Sequence, residues 1–332
     1  LHYREWLRLV GRLVALRPDV VQLGDLRFAG DALCVGLLAA LGLRLTEICH
    51  NVERFAGGRF ASTRLERAAY RWLYRRCRRV FVHYESNRAR FLALHGGDPS
   101  RVVAIPHGNE AVFAAVRRPD VGAADLRRRL GLGSEAQVIL QLGTMSTYKG
   151  CDLALEALPR VRQRVPTAHL VLAGRPLPDF DLGALADRVA ELGLARHVSL
   201  IPHYVPSDEV AAWLELAAVA FFPYREVFQS GALALAQTFG VPCVATRVGA
   251  MAEAAGDGAL MVAAPANPEA LAGALTRVLA DRELAAELGA AGRQQAMTGG
   301  DWTAIGVTLR REYEALLADR PVAARSVAEA GR

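Results

Sequence analysis

Short apolar runs recur along this chain, each followed by a longer stretch with helical periodicity. Residues 138–142 (VILQL), 170–173 (LVLA), 198–201 (VSLI), 219–222 (VAFF), 243–246 (CVAT) and 260–262 (LMV) form one series. Residues 19–23, 44–49, 80–83 and 102–105 form another ahead of it. Runs with little polar alternation are buried on both faces, which requires parallel sheets covered by crossover helices. The fold class is therefore α/β, with two doubly wound, Rossmann-like domains in tandem. A length of 332 residues suits two such domains, and 52% hydrophobic against 22% charged residues excludes long disorder.

The break at Pro106-His107-Gly108-Asn109 and the polar stretch 117–122 place the first domain at 1–118 and the second at 119–300, and helix 301–318 is expected to return to the first. Trp302, Ile305, Leu309, Tyr313 and Leu316 recur at three- and four-residue spacing on that helix. The chain opens at Leu1 inside a helical pattern, so the first domain is expected to be incomplete at its start. The apolar run 32–43 is too short to cross a bilayer, and no leader pattern precedes it. A cytoplasmic protein, soluble or peripheral at the inner membrane surface, is the expectation. Five cysteines without CxxC spacing support neither a disulfide framework nor a metal site.

Ligands of open α/β sheets sit where strands end and helices begin. Two such turns carry chemistry. The first is Gln141-Leu-Gly-Thr-Met-Ser-Thr-Tyr-Lys149-Gly150. It is neither a GxGxxG fingerprint nor a P-loop. Lys149 is, however, the single lysine among 40 basic residues. A compact ammonium retained where every other cation is arginine suits a buried diphosphate met from one side. A surface lysine and a Schiff-base lysine are the alternatives. The second turn is Phe221-Phe-Pro-Tyr-Arg-Glu226-Val-Phe-Gln-Ser230-Gly231 before an apolar helix. There Ser230 is either an ordinary N-cap or, with Gly231, part of an anion-binding helix start.

These turns stand in an order that resembles a known family. His50-Asn51 after a strand, Val80-Phe-Val-His83-Tyr-Glu-Ser86, Ile105-Pro-His107-Gly108, Gly143 to Lys149-Gly150, Ala173-Gly174-Arg175 and the segment from Glu226 to Gly240-Val-Pro242 are similar to the GT-B glycosyltransferases of family 4. The resemblance implies a retaining, metal-independent transfer from a nucleotide-diphosphate sugar, which is a substrate rather than a cofactor. The acceptor would be a glycan or a lipid-linked species, as in polysaccharide biosynthesis. It implies that Lys149 meets the diphosphate and that His50 faces the transferred sugar. Gly143, Thr144, Gly174, Arg175, His203, Ser230 and Gly231 would line the donor, with Asn51, His83 and His107 on the acceptor side or in the cleft. Aligned on Gly240-Val-Pro, the family's two acids fall at Val227 and Leu235, which leaves Glu226 one residue out of register as the catalytic acid. The family's arginine five residues before the lysine is Thr144 here, and Arg175 is the candidate replacement. A nucleotide-sugar epimerase of the same fold and a noncatalytic nucleotide-sugar-binding or scaffold subunit are the rival readings.

Charge is uneven. Residues 1–120 carry 20 Arg against 11 acids, while the rest of the chain is slightly acidic. Segment 62–79 reads as one basic helix, with Arg64, Arg67, Arg71, Arg75, Arg76, Arg78 and Arg79 among Leu65, Tyr70, Trp72, Leu73 and Tyr74. It is either a solvated face or a surface for an anionic membrane. No nucleic-acid motif accompanies it, so nucleic acid is not an expected partner.

Overall fold

The computed structural model describes residues 2–24, 26, 31–53, 55–56, 59–60, 63–262 and 267–318. They divide into two compact units, one of Leu1–Arg54, Ala61–Ile105 and Trp302–Arg332, the other of Phe55–Phe60 and Pro106–Asp301.

The first unit runs α1 (His2–Leu16), β1 (Val21–Gly24), α2 (Asp31–Ala40), β2 (Leu45–Cys49), then, past the short hairpin β3 (Phe55–Ala56) and β4 (Arg59–Phe60) that clusters with the second unit, α3 (Arg64–Tyr74), β5 (Cys77–His83), α4 (Glu85–His95) and β6 (Val102–Ile105). Its sheet has the order β1-β2-β5-β6 with every pair parallel. Val80, Phe81 and Val82 on β5 are all at most 2% exposed. That burial on both faces is what their uninterrupted apolar run demands. A capping box between Thr63 and Glu66 starts α3, and Tyr70 and Leu73 fix its inner face.

The second unit continues with α5 (Val112–Ala115), α6 (Ala123–Arg129), β7 (Gln137–Leu142), α7 (Cys151–Arg164), β8 (Ala168–Ala173), α8 (Leu182–Glu191), β9 (Val198–Ile201), α9 (Val210–Leu216), β10 (Ala217–Phe222), α10 (Gly231–Thr238), β11 (Cys243–Thr246), α11 (Met251–Ala255), β12 (Ala259–Val262), α12 (Pro268–Ala280) and α13 (Arg282–Gly299). The parallel sheet has the order β12-β11-β10-β7-β8-β9. The chain builds β7, β8 and β9 in one direction, then crosses back to β10 on the other side of β7. Order thus reverses between β7 and β10, the point at which an open sheet leaves a crevice beyond its carboxyl ends. Leu155, Leu158 and Val161 of α7 and Leu271, Leu275 and Val278 of α12 are buried in the core with Ile139, Leu170 and Phe221. Each such side chain contributes roughly 1.5–3 kcal/mol of burial.

The structure corrects three expectations. Residues 106–118 belong to the second unit rather than the first, because Asn109 N–H donates to Gly300 O, Glu110 N–H to the Thr238 hydroxyl, and Arg118 to Asp208 and Glu209. The basic helix ends at Tyr74, so Arg78 and Arg79 lie on β5. Trp302 is 60% exposed, so the inner face of α14 (Trp302–Ala318) rests on Ile305 and Leu316. That helix packs on β5 within the first unit through Arg79–Glu312 at 2.8 Å and the edge of Tyr313 on Phe81.

Candidate donor-binding site

The two turns singled out in the sequence flank the reversal point, one at the end of β7 and the other at the end of β10. Glycines let the first turn close. Gly143 has φ +121° and Gly174 φ +149°, and a Cβ on Gly174 would lie 1.9 Å from Gly143 O. Gly143 N–H donates to Ala173 O and Met145 N–H to Arg175 O, which stitches the ends of β7 and β8 together. Asp179 accepts from the Ser146 hydroxyl at 2.6 Å, Thr147 N–H at 3.0 Å and the Thr147 hydroxyl at 2.9 Å. Burial opposes its charge, yet these hydrogen bonds hold the carboxyl below the usual range.

A single 3-10 turn, Thr147–Lys149, then leads into α7 through Gly150 at φ +65°. A Cβ there would meet Pro223 O at 2.1 Å, so the turn after β10 presses directly on it. Arg225 clips the two turns together: its N–H donates to Tyr148 O, and its guanidinium donates to Thr147 O and forks onto Asp152 at 2.8 and 2.6 Å.

Lys149 is held inside this frame. Only 9% of it is exposed, and its carbonyl accepts from Gln141 Nε2. Its Nζ lies 5.9 and 5.8 Å from the ring centroids of Tyr148 and Tyr224, within cation–π range, and 3.2 Å from where a Gly143 Cβ would be. The ammonium has no carboxylate partner among the described residues. Burial lowers it to about 8, with a smaller opposing influence from Cys151. A buried, uncompensated cation beside a glycine backbone is arranged to receive an anion.

Tyr224, buried two residues past the end of β10, brings its ring beside this lysine at the start of the second turn. Ser230 caps α10 by accepting from Leu233 N–H and is itself buried, so the cap is real, and the positive end of the helix opens at Gly231. Over that end stand His107, whose Nε2 would be 3.5 Å from a Gly231 Cβ, and Glu110 at 3.9 Å. His107 Nδ1 donates to Gly108 O at 2.8 Å, and burial raises the Glu110 carboxyl against the pull of His107.

Other predicted residues fall differently. Arg175 and His203 are exposed; Arg175 contributes its carbonyl to the turn, and His203 Nδ1 lies 3.2 Å from Tyr204 O. Thr144 is half-buried in the first turn. Glu226 lines a cavity of about 680 Å³ together with Tyr148, Phe180, Arg188 and Arg225.

In the first unit, His50 follows the carboxyl end of β2 and His83 is the last residue of its neighbour β5. His83 Nε2 and His50 Nδ1 are 2.9 Å apart, so one ring donates to the other. Asn87 Nδ2 donates to His83 O, and the next residue, Tyr84, holds φ +71°, a strained backbone for a bulky side chain. Asn51 is exposed, its carbonyl accepting from Cys49 Sγ.

Sequence reasoning missed Tyr224, Tyr148, Glu110 and the Arg225–Asp152 clip. Tyr224 and Arg225 lay inside a motif already singled out, and their proximity to Lys149 was the missing information.

The family model "Glycosyltransferase Family 4" matches residues 1–110, and "Glycosyl transferases group 1" matches residues 136–281. The GDP-mannose-dependent alpha-(1-6)-phosphatidylinositol monomannoside mannosyltransferase of Mycolicibacterium smegmatis is 34% identical over 232 residues, 67% of this chain and 58% of the relative. The D-inositol 3-phosphate glycosyltransferase of Acidothermus cellulolyticus is 36% identical over 208 residues, 59% and 44% of the two chains. The chain thus spans about half the length of these curated relatives. Among solved structures, Anabaena HepE in complex with UDP superposes with a TM-score of 0.74 at 17% identity, covering 93% of this chain and 82% of that one. Two family models in order along one chain, over two parallel-sheet units, place the protein among the family 4-like glycosyltransferases of GT-B architecture.

Proposed function

We propose that the chain binds the diphosphate of a nucleotide sugar at the β7 and β10 turns and transfers the sugar to a glycan or lipid-linked acceptor. The observation that carries this reading is the buried Lys149 ammonium without a carboxylate partner among the described residues. Departure of the nucleoside diphosphate develops negative charge, and fixed positive potential from Lys149 and the α10 helix start would stabilise it. Gly143, Gly174 and Gly231 would let the backbone approach the ligand, with Thr144 and the main chain near His203 lining it. Arg175 is free to turn toward the phosphates from the surface. We assign His50 to the transferred sugar, with His83 as a positioning residue that holds the ring, and His107 with Glu110 to the region over the helix start. Glu226 is the candidate acid for the donor sugar, beside Tyr148 and Arg225 of the same turns. Retention, metal independence, a cytoplasmic location and contact with an anionic inner membrane surface belong to the same proposal. The relatives named for phosphatidylinositol mannoside and inositol phosphate acceptors support a polyol-bearing acceptor.

Calorimetry with GDP and UDP tests the reading. Lys149→Ala should weaken binding by about 1.5–3 kcal/mol, the range of a charge-assisted contact. Wild-type affinity in that variant would sink the assignment.

A further inference from the structure

Three neighbouring parallel strands of the first unit, β2, β5 and β6, are each preceded immediately by an arginine: Arg44, Arg76 and Arg101. With Arg75 and Arg78 they line a cavity of about 300 Å³, at the small end of the range of ligand pockets. It opens at the amino ends of the strands, about 20 Å along β5 from the His50–His83 pair. Among the described residues, no acidic side chain lines it. Arg76 is engaged, donating to Trp72 O at 2.8 Å and stacking over the Trp72 ring, and Arg101 makes a long 3.5 Å pair with Asp98. The guanidinium groups of Arg44, Arg75 and Arg78 have no hydrogen-bond or ion-pair partner among the described residues. Five like charges around so small a volume repel one another unless an anion sits between them. Guanidinium forks match phosphate oxygens two at a time.

We propose that this cavity binds the phosphate group of a multiply charged ligand, free or presented by a lipid headgroup, at a site distinct from the donor turns. Measurements in a Lys149→Ala background keep the donor turns from contributing. Inorganic pyrophosphate is titrated by calorimetry, and phosphatidylcholine vesicles with or without phosphatidic acid are tested by sedimentation. Saturable binding should fall at least tenfold in Arg44→Gln/Arg75→Gln/Arg78→Gln. It should be unchanged in the charge-matched Arg8→Gln/Arg12→Gln/Arg160→Gln. Should the first triple variant fail to fold, the exposed single variants Arg75→Gln and Arg78→Gln should each weaken binding severalfold. Saturation by pyrophosphate identifies a free ligand, and saturation only by phosphatidic acid vesicles identifies a headgroup. Equal losses in both triple variants, or saturable binding of neither probe, would overturn the site.

Discussion

Replacing Lys149 by methionine should make the protein more stable while weakening its affinity for nucleoside diphosphates by about 1.5–3 kcal/mol. Burial lowers Lys149 from an ordinary 10.5 to about 8. At 1.36 kcal/mol per tenfold, its charge therefore costs about 3 kcal/mol in the empty site. The sign follows from linkage: the unfolded chain holds this proton more tightly than the folded one, so the penalty is complete below pH 8. Stability is recovered as pH rises from 8 toward 10.5, where the folded lysine is neutral and the unfolded lysine is not. Methionine keeps the length and apolar stem without the charge. Denaturant melts of wild type and Lys149→Met at pH 7 and pH 9.5 would read the effect. The variant should be more stable at pH 7 by up to about 3 kcal/mol, with the gap closing at high pH. A less stable variant, or a gap indifferent to pH, would refute an uncompensated buried ammonium.

Other substitutions probe the frame around it. Gly174→Ala places a methyl against Gly143 O at a left-handed φ, so it should lower stability by at least about 1–3 kcal/mol and weaken diphosphate binding with it, read by thermal melts and calorimetry. His83→Ala should reduce turnover while leaving nucleoside diphosphate affinity intact, as should His50→Ala, because both act through the sugar in the proposed reaction; kcat and Kd measured separately distinguish this from misfolding. Deleting residues 302–332 uncovers Phe81 and leaves Arg79 without Glu312, so the shortened chain should lose solubility, measured by sedimentation after expression.

Strand positions were legible because burial on both faces leaves no alternation to misread, as at 138–142 and 170–173. Lys149 was legible through its singularity in an arginine-rich chain. What the sequence hid was tertiary. The domain boundary moved to Pro106 because Asn109, Glu110 and Arg118 find partners between 90 and 191 residues away. Arg79 read as part of a basic helix, yet it lies on β5 and is neutralised by Glu312, 233 residues on. Trp72 stands among the arginines of that helix in sequence; in the fold its ring, 40% exposed, packs on Gly36 and lies under Arg76. The membrane-facing reading of α3 therefore rests on Leu65, which is 80% exposed, and the arginines beside it. Tyr224 could not be assigned from sequence, since only the fold brings its ring to Lys149.

Because Lys149 is the single lysine, protein labelled with carbon-13 lysine gives one side-chain signal whose titration reports the site alone. The donor-site account predicts a midpoint near 8 in the free protein, rising by a unit or more when GDP or UDP is bound, as the diphosphate restores the charged form. A midpoint near 10.5 that neither nucleotide moves would contradict it.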